Sequence, residues 1–183
     1  LAASSFFSYI QAQADDNDDA HNITLIIPEV ALLDIETSGS KDLSFSATAP
    51  DEAGDSLSFD GLNDSTLWLN YTSIKSAADP TRNITVDITS GTVPANTTLK
   101  VLGKTSQTGF GGLGTSAGEL DITDGSVKNL VTGITSCYTR NGVNRGSQLR
   151  YTWELTGTAN YGDLLANDPA GTTITVTYTL TDN

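Results

Sequence analysis

The side chains that carry most protein chemistry are scarce in this chain, which has one histidine, His21, and one cysteine, Cys137. A histidine acting as acid, base or zinc ligand needs partners within reach. No second histidine and no neighbouring cysteine accompanies His21, which argues against a hydrolase triad or a zinc centre. Cys137 has no partner for an internal disulfide. Alternation in Ile134-Thr135-Ser136-Cys137-Tyr138 puts the thiol on the face opposite Ile134 and Tyr138, where it reads as a small buried hydrophobe. A His21–Cys137 dyad exists only on paper, because nothing in the sequence brings the two together.

Carboxylates are plentiful, with 22 acidic against 9 basic residues, so composition alone does not strike out a glycosidase pair. Sugar clefts also need exposed aromatic rings. Trp68 and Trp153 both lie in alternating segments, where core packing is the ordinary explanation. Trp68 is out of step with Leu67, Leu69 and Tyr71, which makes it the candidate glycan contact of a non-catalytic module. Residues 15–19 (DDNDD) lack the glycine and distal glutamate of a calcium loop and read as a solvated linker. The glycine-rich stretch 106–118 is not followed by Lys-Ser/Thr, so it does not match a phosphate cradle. The expectation is a protein that is not an enzyme and uses no metal or cofactor.

A net charge of −13 argues against nucleic acid, whose binding rests on Lys and Arg. No apolar run is long enough to span a membrane as a helix. Charged residues are only 17% of the chain, and Ser, Thr, Asn and Gly supply the polarity instead, as on many extracellular β-proteins. Asn22, Asn63, Asn70, Asn83 and Asn96 fit the N-glycan acceptor pattern. Ser56 and Ser65 follow aspartates in a predicted loop and resemble a bacterial O-glycan acceptor pattern.

The elements that must position these groups are strands. In residues 172–180 apolar side chains at Ile174, Val176, Tyr178 and Leu180 alternate with threonine, the signature of a strand with one buried and one wet face. The same grammar recurs at Ile23, Leu25 and Ile27; at residues 30–35; at Leu43, Phe45 and Ala47; at Leu67, Leu69 and Tyr71; and at Ile84, Val86 and Ile88. It continues at Leu99 and Val101, at Leu120 and Ile122, through residues 127–138 with a kink at Gly133, and at Leu149, Tyr151, Trp153 and Leu155. Residues 106–118 are expected to be a long mobile loop or hairpin tip, and residues 164–166 a single helical turn. Eight to ten short strands predict an all-β fold, an antiparallel β-sandwich of immunoglobulin-like or jelly-roll type.

Residues 1–14 (LAASSFFSYIQAQA) differ from the rest. They read either as the tail of a secretory signal ending in Ala12-Gln13-Ala14 or as a retained apolar arm. The second reading divides the chain into an N-terminal arm and acidic linker, residues 1–20, and a sandwich domain, residues 21–183. Both readings place the protein outside the cytoplasm, secreted or at a bacterial cell surface.

The closing Gly171-Thr-Thr-Ile-Thr-Val-Thr-Tyr-Thr-Leu-Thr-Asp resembles the end of small secreted pilin domains of the spore coat protein U-like group. That resemblance implies assembly by donor strand, in which the arm of one subunit fills a groove in the next. On this view Leu1, Phe6, Phe7, Tyr9, Ile10 and Ala12 are the inter-subunit contacts, and the partners are copies of the same chain in a head-to-tail fibre. The alternative is a monomeric secreted module for carbohydrate or surface adhesion. Those pilins often carry a disulfide, and this chain, with its single cysteine, has none within itself.

Overall fold

The computed structural model describes residues 18–182 apart from 168–169. Nine strands follow one another: β1 (Val30–Thr37), β2 (Asn63–Ile74), β3 (Arg82–Ser90), β4 (Thr97–Gly103), β5 (Phe110–Ser116), β6 (Glu119–Asp121), β7 (Lys128–Tyr138), β8 (Ser147–Leu155) and β9 (Thr175–Asp182). Every pairing is antiparallel. Among the described residues there is no α-helix, only a 3-10 turn at Thr158–Asp163. Among the described residues no helix is long and apolar enough to cross a membrane.

The ladder runs β6-β4-β8-β2-β7-β3-β9, with β1 on the far side of β2 and β5 on the far side of β7. Its narrowest join is β2 to β7, where only Thr72↔Tyr138 and Ser73↔Cys137 pair. The sheet folds over at that point into two facing leaves, β1-β2-β8-β4-β6 and β5-β7-β3-β9. Side chains bridge strands that are far apart in ladder order. The Tyr151 hydroxyl on β8 hydrogen-bonds the Tyr178 hydroxyl on β9, and Tyr71 on β2 donates to the Leu113 carbonyl on β5 at 2.6 Å. The result is a β-sandwich-type fold, as the alternation predicted.

One core fills the space between the leaves. Leu67, Leu69 and Tyr71 of β2 meet Ile84 and Val86 of β3, with Leu130 and Ile134 of β7. On β9, Val176, Tyr178 and Leu180 pack inward while Thr175 and Thr179 stay exposed, so the threonine–apolar alternation maps onto the two faces.

Four expectations give way to something else. Residues 23–27 alternate but pair with no other described residue, and the first described strand begins at Val30. Residues 43–47 turn Leu43 and Phe45 onto the core with strand-like alternation, yet their backbone joins no ladder. Only Thr48, just beyond them, bridges to Ser58. Alternation reports one-sided burial, and a ladder needs a neighbouring edge as well. The helical turn falls at Thr158–Asp163 rather than at residues 164–166. The stretch expected as a mobile loop contains β5, bonded along β7 from Phe110↔Tyr138 to Ser116↔Val131. A Cβ on Gly109 would stand 1.9 Å from the Tyr138 carbonyl, and one on Gly111 would stand 2.2 Å from that of Ser136. Both glycines have φ above 90°, which side chains disfavour. Glycine here is the condition for a strand.

Candidate assembly site

The chemistry-bearing residues do not converge. His21 is exposed on the segment before β1, whereas Cys137 is buried on β7 beneath Gly111. Burial pushes the Cys137 thiol up and keeps it protonated. Among the described residues no group of three His, Cys, Asp or Glu is placed to hold a metal ion. A cleft of about 470 Å³ is lined by Phe59, Asp60, Asn63, Trp153 and Glu154 among others. Its Trp153 ring packs edge-on to Phe59 at 4.9 Å and donates its indole N–H to Thr97 Oγ1 at 2.9 Å. Glu154 is engaged by Lys100 on the adjacent strand.

The sequence candidates fall apart from one another. Trp68 is half-buried on the outer face of β2, opposite Glu36 on β1 and Gln148 on β8. Ser56 lies exposed in a loop, as expected. Ser65 lies within β2 at a register shift, where its carbonyl accepts from Gln148 at 3.0 Å. The strand begins earlier than the sequence suggested because the Asp64 carboxylate accepts from the Thr66 backbone and hydroxyl, at 2.8 and 2.6 Å, and holds the irregular step. Asn70 is 5% exposed under the loop before β8, with its amide on the Arg145 carbonyl, so it offers no access for a glycan. The donor-arm residues Leu1, Phe6, Phe7, Tyr9, Ile10 and Ala12 lie outside the described residues.

What the fold presents instead is the stretch that follows them. Every residue from 18 to 29 is exposed, and none is in a strand or makes a backbone–backbone hydrogen bond with another described residue. Ile23 is 71% exposed, Leu25 87%, Ile26 83% and Ile27 83%. A contiguous apolar run left in water is informative in a way that a single exposed leucine is not.

The base of this stretch is held firmly. Arg82, 2% exposed at the start of β3, binds the Glu29 carboxylate through Nη2 and Asp182 through Nε at 2.6 Å. Its Nη1 donates to the Val30 carbonyl at 2.9 Å, to Ser73 Oγ at 3.0 Å and to the Ile74 carbonyl at 3.2 Å. A buried guanidinium is tolerable only when its donors are satisfied by such partners. The hydrogen bond to Asp182 raises its pKa further, so it stays charged. By composition Arg82 is only one of nine basic residues. The available signal was its phase, since it alternates with Ile84 and Val86 and so points inward.

Near this clasp the two leaves end in β1 and β9, each paired on one side only among the described residues. A groove of about 230 Å³ separates them, lined by Leu33, Asp34, Ile35, Lys41 and Tyr178. Compared with protein-family models, with curated proteins and with solved structures, the chain matches none.

Proposed function

We propose that the protein is a structural subunit of an extracellular filament or surface layer, joined to copies of itself through its N-terminal segment. One observation carries this reading: the run Ile23, Leu25, Ile26 and Ile27, each at least 71% exposed, on a segment anchored to the sandwich at Glu29. Burying such side chains contributes roughly 1.5–3 kcal/mol each, a gain that the described residues of the subunit leave unused. Four of them offset much of the translational and rotational cost of association. The apolar residues of 1–14 extend the same character upstream in sequence.

An extended segment of one subunit seated on another makes a heterologous contact, and repetition of such a contact yields a fibre unless rotation closes it into a ring. Extracellular placement is supported by the Ala12-Gln13-Ala14 pattern and by the threonine-rich, charge-poor composition.

Sedimentation velocity over a concentration series tests the reading. The parent chain is expected to form concentration-dependent oligomers. Ile23→Asp/Leu25→Asp/Ile27→Asp is expected to sediment as a monomer with an unchanged far-ultraviolet spectrum. A parent that stays monomeric at high concentration, or a triple variant that assembles equally well, ends the proposal.

A further inference from the structure

The segment needs a seat, and strand register places a matching surface across the outer side of the molecule. Leu32 on β1 pairs with Thr72 on β2, Thr72 pairs with Tyr138 on β7, and Tyr138 pairs with Phe110 on β5. Residues directly opposite in an antiparallel ladder point to the same face. The four side chains therefore form one row from the edge strand β1 to the edge strand β5. Leu32 is 64% exposed, Tyr138 47% and Phe110 62%. The Phe110 and Tyr138 rings touch, with centroids 5.9 Å apart.

Charge marks one end of this row. The Arg140 guanidinium stands 5.9 Å from the Phe110 ring centre. Arg140 adopts a φ of 74°, a conformation glycine takes without strain, so a bulky cation is kept there against local preference. The backbone N–H of exposed Lys75 bonds Ser136, two residues before Tyr138. Neither cation has a carboxylate partner among the described residues, in a chain carrying 22 acids against 9 bases.

We infer that this row is the docking surface for residues 18–27 of a second copy. The inference rests on the assembly reading above and names the acceptor for it. The lengths are commensurate: three ladder spacings of about 4.8 Å join Leu32 to Phe110 along a path of about 14 Å that bends at the β2–β7 join, and residues 23–27 in extended form span about 13 Å. Chemistry agrees as well. Ile23, Leu25 and Ile27 meet Phe110, Tyr138 and Leu32, with Ile23 at the Phe110 end. The exposed carboxylates of Asp18 and Asp19, five and four residues upstream of Ile23, then lie on the side of Arg140. Opposite charge at the rim fixes the direction in which the segment lies and speeds encounter.

The test is sedimentation velocity of the full chain in four variants, at low and high salt. Phe110→Ser/Tyr138→Ser is expected to weaken self-association by about tenfold or more. These side chains are exposed, so the melting temperature is expected to hold. Arg140→Glu and Asp18→Lys/Asp19→Lys are each expected to weaken association several-fold at low salt, and combining them to restore it. Full assembly of the row variant, alongside loss in the Ile23→Asp/Leu25→Asp/Ile27→Asp variant, would overturn this seat while leaving the assembly reading intact, with the free edges of β1 and β9 as the remaining acceptor. A row variant that assembles normally but loses binding to a glycan panel overturns it in favour of a saccharide site. A parent chain that never associates removes both readings together.

Discussion

Strands β5 and β9 close the two sides of the same leaf, and among the described residues each is bonded to a single neighbouring strand. They reach that position by opposite means. β9 (TVTYTLTD) presents Val176, Tyr178 and Leu180 to the core and threonines to water, so side chains hold it. β5 (FGGLGTS) has almost no side chains to present, and it lies on β7 because its glycines let two backbones approach. A side-chain strand tolerates changes that spare its inner face. A backbone strand tolerates almost nothing at its glycines and nearly anything at its exposed phenylalanine.

The sharpest way to break this contrast is Gly111→Val. Its Cβ would stand 2.2 Å from the Ser136 carbonyl, and φ is 94°. We expect a loss of about 3–4 kcal/mol in urea denaturation, through strain at positive φ and displacement of β5. Amide exchange should rise along β7 at Cys137. A loss under 1 kcal/mol would mean that β5 is held by something other than close backbone approach.

A smaller effect is expected at the centre of β9. Tyr178→Phe removes the hydroxyl that binds Tyr151 across the sandwich and leaves a buried partner unmatched. The expected cost is about 1–2 kcal/mol, because the ring stays in the core. pH gives a second handle on the same pair. Burial pushes the phenols of Tyr71 and Tyr151 up to about 12, and that of Tyr178 well above its usual value. A raised folded-state pKa means that the stabilisation is complete below pH 10 and is lost as pH climbs toward 12. Of six tyrosines, these three are expected to titrate last in tyrosinate absorbance, together with unfolding. Simple titration of all six near pH 10 would contradict the burial on which β9 depends.

The smallest effect is expected in the turn that feeds β7. Asp124 accepts from the Ser126 backbone at 3.0 Å and its hydroxyl at 2.8 Å, and pairs with Lys128. These bonds lower its pKa to about 2, so its contribution is present above pH 4 and fades as pH falls toward 2. Asp124→Asn should lower the melting temperature slightly at pH 7 and not at all at pH 2. An equal difference at both pH values would place the effect in the turn backbone and not in the charge.

The same contrast explains what the sequence could and could not tell. Alternation found β2, β3, β8 and β9 because inward side chains leave a local record. It also marked residues 23–27 and 43–47, where the record is there but the neighbouring edge is not. β5 escaped because its signal is an absence of side chains, which looks the same as a loop. The scarcity of catalytic residue types was legible at once. Arg82 was legible in principle from its phase with Ile84 and Val86. The row from Leu32 to Phe110 was not, because it exists only through the registers of three separate ladders.

The contacts of Arg82 have a mechanical consequence. Tension drawn along residues 18–29 meets the guanidinium at Glu29 one residue before the first rung of β1, Val30↔Ile74. The same guanidinium grips Asp182, which forms the last rung of β9 with Arg82 itself. A tug on the segment is thus shared between both leaves before either begins to unzip.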